Sequence, residues 1–300
     1  MYELRPPAAP LRPFIEHYWS VAPDGDGPVD LRVDVFVDAR ADLVFNFGAP
    51  YTREALGVAR RVRRSNLDAQ RLHPIRITQR GAVEVCGVRF RLGGLGPFVR
   101  TPLTAWTDQT PAPADVLGPE ATALETALRD AAGLDARAAL LDAFFLRALI
   151  DDAARRRFDR ALAALVSSDG GATVAAAAEA AGVSSRELGR LFARHLGVAP
   201  KAVARVLRFQ SALRALMRDP GCALADVAAR CGYFDQAHFI KDFRRFTGGV
   251  PRGYRGYYPP AAPSDFAPNV VLFVQDGRMP PRRPSASRAR TPTRREERSP

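Results

Sequence analysis

Two stretches of this chain carry one pattern, and the repetition limits what the C-terminal third can fold into. The first runs Ala178, Gly182, Leu188, Phe192, Gly197, Pro200; the second runs Ala228, Gly232, Phe239, Phe243, Gly248, Pro251. The offset is 50 residues up to the glycine of each copy and 51 beyond it, so the second turn is one residue longer. A small residue four positions before a glycine, followed by apolar residues on one later helical face, is helix-turn-helix spacing. Alanine admits a second helix at close range and glycine makes the turn. Two recognition helices in one chain point to DNA as a partner.

Charge agrees with that partner once it is divided along the chain. Residues 1–157 balance 21 basic against 20 acidic side chains, whereas residues 158–257 hold 15 basic and 8 acidic, and residues 278–300 hold 8 and 2. The formal excess of +12 therefore lies on the duplicated region and the tail, as a polyanionic partner requires. No apolar run reaches the roughly 18 residues needed to cross a bilayer. Met1 to Pro10 lacks a basic-then-apolar leader pattern, so the expected location is the cytoplasm, at the nucleoid and away from any membrane. Cys86, Cys222 and Cys231 are odd in number and scattered, which fits reduced thiols and neither a disulfide framework nor paired zinc ligands.

At 300 residues the chain has room for two domains. Period-two alternation in Leu31 to Val35, Asp42 to Phe47, Ile75 to Thr78, Val83 to Val85 and Val88 to Arg91 predicts strands, punctuated by Pro and Gly. The fold class expected is α+β. A small, cupin-like antiparallel barrel or sandwich over 1–118 serves as sensor or dimerisation domain, and a helical linker follows over 119–157. An all-α double helix-turn-helix domain occupies 158–257, with a Pro- and Arg-rich, largely disordered tail over 258–300. Asn269 to Val274 is an apolar exception in that tail and reads as a short strand. In the third segment Thr173 and Ser184 or Ser185 are candidate N-caps. Pro200 opens a helix that stops at Asp219-Pro220-Gly221, about 19 residues or about 28 Å long.

The closing stretch is more specific. Cys231-Gly232-Tyr233-Phe234-Asp235-Gln236-Ala237-His238-Phe239, then Phe243-Arg244-Arg245 and Pro251-Arg252-Gly253-Tyr254-Arg255, resembles the DNA-binding domain of AraC/XylS-type transcription regulators. The resemblance covers Phe158 to Tyr257. More loosely, Leu11 to Trp19, Ala41 to Gly48 and Gly87 to Phe90 resemble the barrel-like sensor of one subgroup of that family. The resemblance implies a sequence-specific transcription regulator controlled by a small-molecule effector in the N-terminal domain. It also implies contact with RNA polymerase and pairing of two copies through the sensor.

A helix about 28 Å long can hold two recognition helices roughly one B-DNA turn apart, so that one protomer reads two adjacent major-groove segments. In the first recognition helix Leu188, Leu191 and Phe192 face inward, leaving Arg186, Gly189, Arg190 and Arg194 for DNA. By match to the family, Arg186 and Arg190 are the base-contact candidates, Arg190 toward guanine O6 and N7. In the second, Phe239, Ile240 and Phe243 form the inner side. Gln236 suits adenine, Ala237 a thymine methyl, His238 a base or phosphate, and Lys241, Arg244 and Arg245 phosphates. The bland alternative for each arginine is a solvated surface charge, and for His238 packing within its helix.

Catalytic chemistry finds no support. His17, His73, His195 and His238 lie in four different elements, and no spacing suits a metal or cofactor. Gly93-Gly94-Leu95-Gly96 lacks a following Lys-Ser/Thr, so a turn explains it better than a phosphate loop. One rival is an Ada-like alkylation-repair protein, whose members carry the same double helix-turn-helix beside a Cys-rich domain; Cys86 alone in the N-terminal half weighs against it. The other rival is a nonspecific architectural DNA-binding protein, which would bind all duplexes alike.

Overall fold

The computed structural model describes residues 2–22, 29–62, 64–150, 152–219 and 221–254. The tail and its Asn269 to Val274 segment lie outside them.

Alternating side chains build the N-terminal half into two stacked antiparallel sheets. The strands are β1 Tyr2–Arg5, β2 Ile15–Val21, β3 Val29–Val35, β4 Asp42–Asn46, β5 Tyr51–Ala55, β6 Val58–Val62, β7 Asn66–Asp68, β8 Ile75–Gly81 and β9 Val85–Phe90. One sheet has the order β1-β2-β9-β4-β7 and the other β3-β8-β5-β6. Among the described residues no strand pairing joins the two, so of the two expected forms the sandwich is the one adopted.

Three helices follow: α1 Pro113–Leu117, α2 Glu120–Asp130 and α3 Gly133–Ala148. Their 3.6-residue stripe does more than span a gap. Leu124, Leu128, Leu134, Leu141, Phe144 and Phe145 share one buried cluster with Tyr18, Leu43, Phe45, Val88 and Phe90 of the five-stranded sheet. Phe145 meets Phe90 edge-on with centroids 5.6 Å apart and Phe98 at 4.9 Å. Tyr18 donates its hydroxyl to Asp142 at 2.8 Å. The segment expected as a linker thus covers the outer face of that sheet, giving layers of helix, sheet and sheet.

The C-terminal half is helical: α4 Ala153–Ser167, α5 Val174–Ala181, α6 Ser185–His195, α7 Pro200–Arg218, α8 Leu224–Arg230 and α9 Gln236–Thr247, with a final 3-10 turn at Pro251–Tyr254. Helix α4 starts five residues before the Phe158 expected from sequence, capped by the Asp152 carboxylate, which accepts from the Ala154 amide at 2.9 Å. Two cores result. Phe158, Leu165, Ala178, Leu188, Phe192 and Val203 build one, and Phe209, Leu213, Val227, Ala228, Phe239 and Phe243 the other. Helix α7 contributes to both and so joins them as one stiff rod.

Candidate nucleic-acid interface

Both recognition helices, α6 and α9, and the helix α5 that precedes the first, begin at polar caps that the sequence supplies. The Thr173 hydroxyl accepts from Ala176 N at 3.1 Å, Ser184 from Glu187 N at 3.2 Å, and the Asp235 carboxylate from His238 N at 2.7 Å. These bonds satisfy amides that the first helical turn leaves orphaned. The turns are made by Gly182 at φ 65° and Gly232 at φ 70°, a left-handed backbone that a side chain would strain. Ala178 and Ala228 are both buried at the helix crossings, as their repetition in the sequence requires.

In α6, Leu188, Leu191 and Phe192 are buried while Arg186 and Arg190 are exposed and Gly189 half-buried. Arg186 and Arg190 therefore project from one open face. Glu187 between them is tied to Arg157 at 2.8 Å, which removes one carboxylate from competition for that face. Arg194 is placed differently. Its Nη1 donates to the Arg100 carbonyl at 3.3 Å, and its Nε lies 3.6 Å from the Asp152 carboxylate. It stands at the junction with the N-terminal domain.

In α9, Gln236, Ala237, Lys241, Arg244 and Arg245 are exposed, and Phe239 and Phe243 are buried. His238 is half-buried, edge-on to Tyr233 with centroids 5.2 Å apart, and its Nε2 lies 3.9 Å from Asp242. Arg244 and Arg245 border a cleft of about 240 Å³ whose far wall carries Asp34 and Glu54 of the sandwich.

Two residues escaped sequence reasoning. Asp242 is 1% exposed and held by a short ion pair with Arg205 of α7, which fixes the tilt of α9 on the rod. That hydrogen bond raises the Arg205 guanidinium above its ordinary value. A carboxylate within Lys241-Asp242-Phe243 gives no sequence signal for burial. Phe234, 93% exposed, stands immediately before the α9 cap. Its neighbour Tyr233 is buried, so the aromatic pair in the sequence divides between core and surface.

The N-terminal domain grips the C-terminal ends of both recognition helices. At the first, the Thr107 hydroxyl donates to the Gly197 carbonyl at 2.7 Å and Arg155 Nη1 to the Gly93 carbonyl at 2.8 Å. Burial, together with the Arg155 charge, pushes His195 down to about 4, so it is neutral in that junction at neutral pH. At the second, Phe36, Val37 and Ala39 enter the core with Phe209, Phe243 and Phe246. The Gln210 amide donates to the Val37 carbonyl at 2.5 Å, and the Val37 amide to the Phe246 carbonyl at 3.4 Å.

Residues 177–257 match the model of a helix-turn-helix domain. Over 81 residues the chain is 35% identical to the HTH-type transcriptional regulator GbdR of Pseudomonas aeruginosa, covering 27% of this chain and 22% of that protein. Over 80 residues it is 38% identical to the HTH-type transcriptional activator RhaS of Escherichia coli, covering 27% and 28%. Residues 177–257 form an AraC-type helix-turn-helix domain.

The chain spans about a quarter of the length of these relatives, so the likeness is confined to the AraC-type domain. Residues 3–112 match a separate family model, a domain of unknown function named DUF6597. Among solved structures, an AraC-type transcriptional regulator from Chromobacterium violaceum is similar at 23% identity with a TM-score of 0.33, covering 36% of this chain and 96% of that one. Among the described residues no group of three or more His, Cys, Asp or Glu is placed to hold a metal ion, and no helix is long and apolar enough to cross a membrane.

Proposed function

We propose that this chain is a sequence-specific DNA-binding transcription regulator whose two recognition helices enter adjacent major-groove segments of one duplex. The observation that carries this reading is the joint placement of α6 and α9 on the single rod α7, each with an open polar face. Nineteen residues give α7 a length of about 28 Å, close to the rise of one turn of B-DNA. Arg186 and Arg190 of α6, with Gln236 of α9, are the base readers, Ala237 a methyl contact, and Lys241, Arg244 and Arg245 phosphate clamps. His238, held against Tyr233 and Asp242, positions its own helix and reaches phosphate only at its edge. Arg194 serves the domain junction in this arrangement and becomes available to phosphate when the junction opens.

The sandwich is the effector domain in this reading. A cavity of about 180 Å³ lies between its sheets, lined among others by Val35 and Asp42. These two residues flank the segment 36–39 that enters the second helix-turn-helix core, so occupancy of the cavity and the pose of α9 share one element. A ligand shifts such an equilibrium only by its differential affinity for the two poses.

Selection of duplexes from a random pool by the full chain tests the proposal. The expected product is a preferred site of about 15–20 bp with two half-sites one helical turn apart. Equal retention of all duplexes would overturn it in favour of an architectural protein.

A further inference from the structure

The walls of the sandwich cavity specify more than the presence of a ligand. Alternation aims His17, Trp19 and Val21 of β2 at Val33 and Val35 of β3 and at Ile75 and Ile77 of β8, across a space of about 180 Å³. A dry cavity of about 150 Å³ accommodates benzene, so this space suits one ring with one or two small substituents. The floor is flat. Trp19 pairs with Gly87 of β9, and a Cβ added at Gly87 would fall 2.2 Å from the indole ring. The ring therefore lies directly on the β9 backbone, a position that any side chain at Gly87 would deny it.

Charge is present at one end of the cavity but cancels there. Arg53 pairs with Asp68 at 3.1 Å and Arg71 with the same carboxylate at 2.5 Å, while Arg89 is clamped by Asp38 and Asp42. Three arginines thus meet three aspartates. A charged ligand would either break one of these pairs or stay unpaired in an apolar space, and both are costly. The other polar groups are also engaged: the Asn66 amide donates to the Tyr51 hydroxyl at 2.8 Å, and the Gln79 amide to the Ala49 carbonyl at 2.9 Å. Among the described lining residues, Arg53 Nε lacks a partner but is buried out of reach of the space, whereas no hydrogen bond engages the side chains of the more open His17 and Trp19. Burial, aided by Arg89, pushes His17 down to about 4. Its neutral ring offers one donor and one acceptor, a match for a hydroxyl group.

We propose that the cavity binds an uncharged one-ring aromatic alcohol or phenol, stacked on Trp19 and hydrogen-bonded to His17. This deepens the effector reading above and rests on it only for the consequence at DNA.

The full chain is titrated at pH 7.5 with 4-methylphenol, benzyl alcohol, toluene, benzoate and benzylammonium, by calorimetry and by tryptophan fluorescence in a Trp106→Phe background. The expected order places 4-methylphenol or benzyl alcohol at least tenfold tighter than benzoate and benzylammonium. His17→Phe should bring 4-methylphenol down to the affinity of toluene, and Val85→Phe should abolish binding by filling the space. Thermal unfolding of each variant confirms that it folds. If benzoate or benzylammonium binds as tightly as the neutral probes, or if no probe binds at millimolar concentration, the proposal is overturned. DNA affinity with and without saturating 4-methylphenol separates the two readings. Ligand bound with unchanged DNA affinity leaves the ligand assignment standing and removes the effector role. Intact DNA binding with no ligand bound removes the ligand assignment alone.

Discussion

The two helix-turn-helix units descend from one sequence pattern yet are completed in different ways. The first closes its core with its own helix α4, through Phe158, Ala161 and Leu165; the sandwich adds no fully buried residue to it among the described residues, only the partly buried Leu72 and Leu92 and hydrogen bonds at its edge. The second takes Phe36, Val37 and Ala39 from the sandwich into its core. A unit that borrows apolar core residues has its stability and orientation linked to the lender. A unit whose fully buried core is its own, and which is seated only at its edge, keeps its fold when the seat is lost. The second recognition helix is thus the one more tightly tied to the state of the N-terminal domain.

The largest effect expected from this difference comes from Phe36→Ala. Removing a buried phenylalanine costs about 3–5 kcal/mol. Hydrogen exchange should show α8 and α9 opening well before α5 and α6. Equal loosening of both units would mean that the core is not partitioned as described.

Acid acts on the other seat. His195, and His17 in the sandwich, are held neutral with values near 4, whereas both titrate near 6.5 when unfolded. The unfolded chain therefore binds more protons between these values, and stability falls as pH is lowered from about 6.5 to about 4. Asp42, which burial pushes up to about 6, works in the opposite direction and offsets part of the loss. The expected net loss, to be read by urea unfolding, is about 2–4 kcal/mol, and His195→Gln should flatten the pH slope. An unchanged slope in that variant would remove His195 from the account.

Smaller effects separate the two reading faces. Arg190→Ala and Gln236→Ala should each cost about 1–3 kcal/mol on the preferred duplex and relax base preference in one half-site only, as read by competition binding. Uniform weakening on every sequence would reassign either residue to phosphate. Smaller still, Lys241→Ala should lower affinity on all sequences alike and reduce the salt slope by about one. A slope that stays the same contradicts a phosphate contact.

The C-terminal elements were legible because their signals are local. Thr173, Ser184 and Asp235 cap helices, Gly182 and Gly232 turn the chain, and Pro200 opens α7, each within a few residues of its effect. The strands were legible where one face is apolar, as in Val33 and Val35. In β2 the signal failed because both faces are covered, by α3 on one side and the cavity on the other, and a bulge between Ile15 and His17 shifts the period. The hairpin β5–β6 was missed because most of its residues are at least partly exposed, leaving little apolar alternation. At the site, exposure of Arg186, Arg190, Gln236 and Lys241 followed from helical periodicity. The turning of Arg194 toward Arg100 did not, since that partner lies in another domain. Nor did the use of Phe36 and Val37 in the second helical core: Val37 keeps the alternation of β3 and Phe36 breaks it, and neither signal names a partner far along the chain.

Footprinting of the selected duplex, combined with the mass of the complex in solution, tests the central claim most directly. The account predicts one protomer per duplex, protecting two major-groove segments about one turn apart and unlike in sequence. One protected segment per protomer, or a duplex bound only by two copies on identical half-sites, would contradict it.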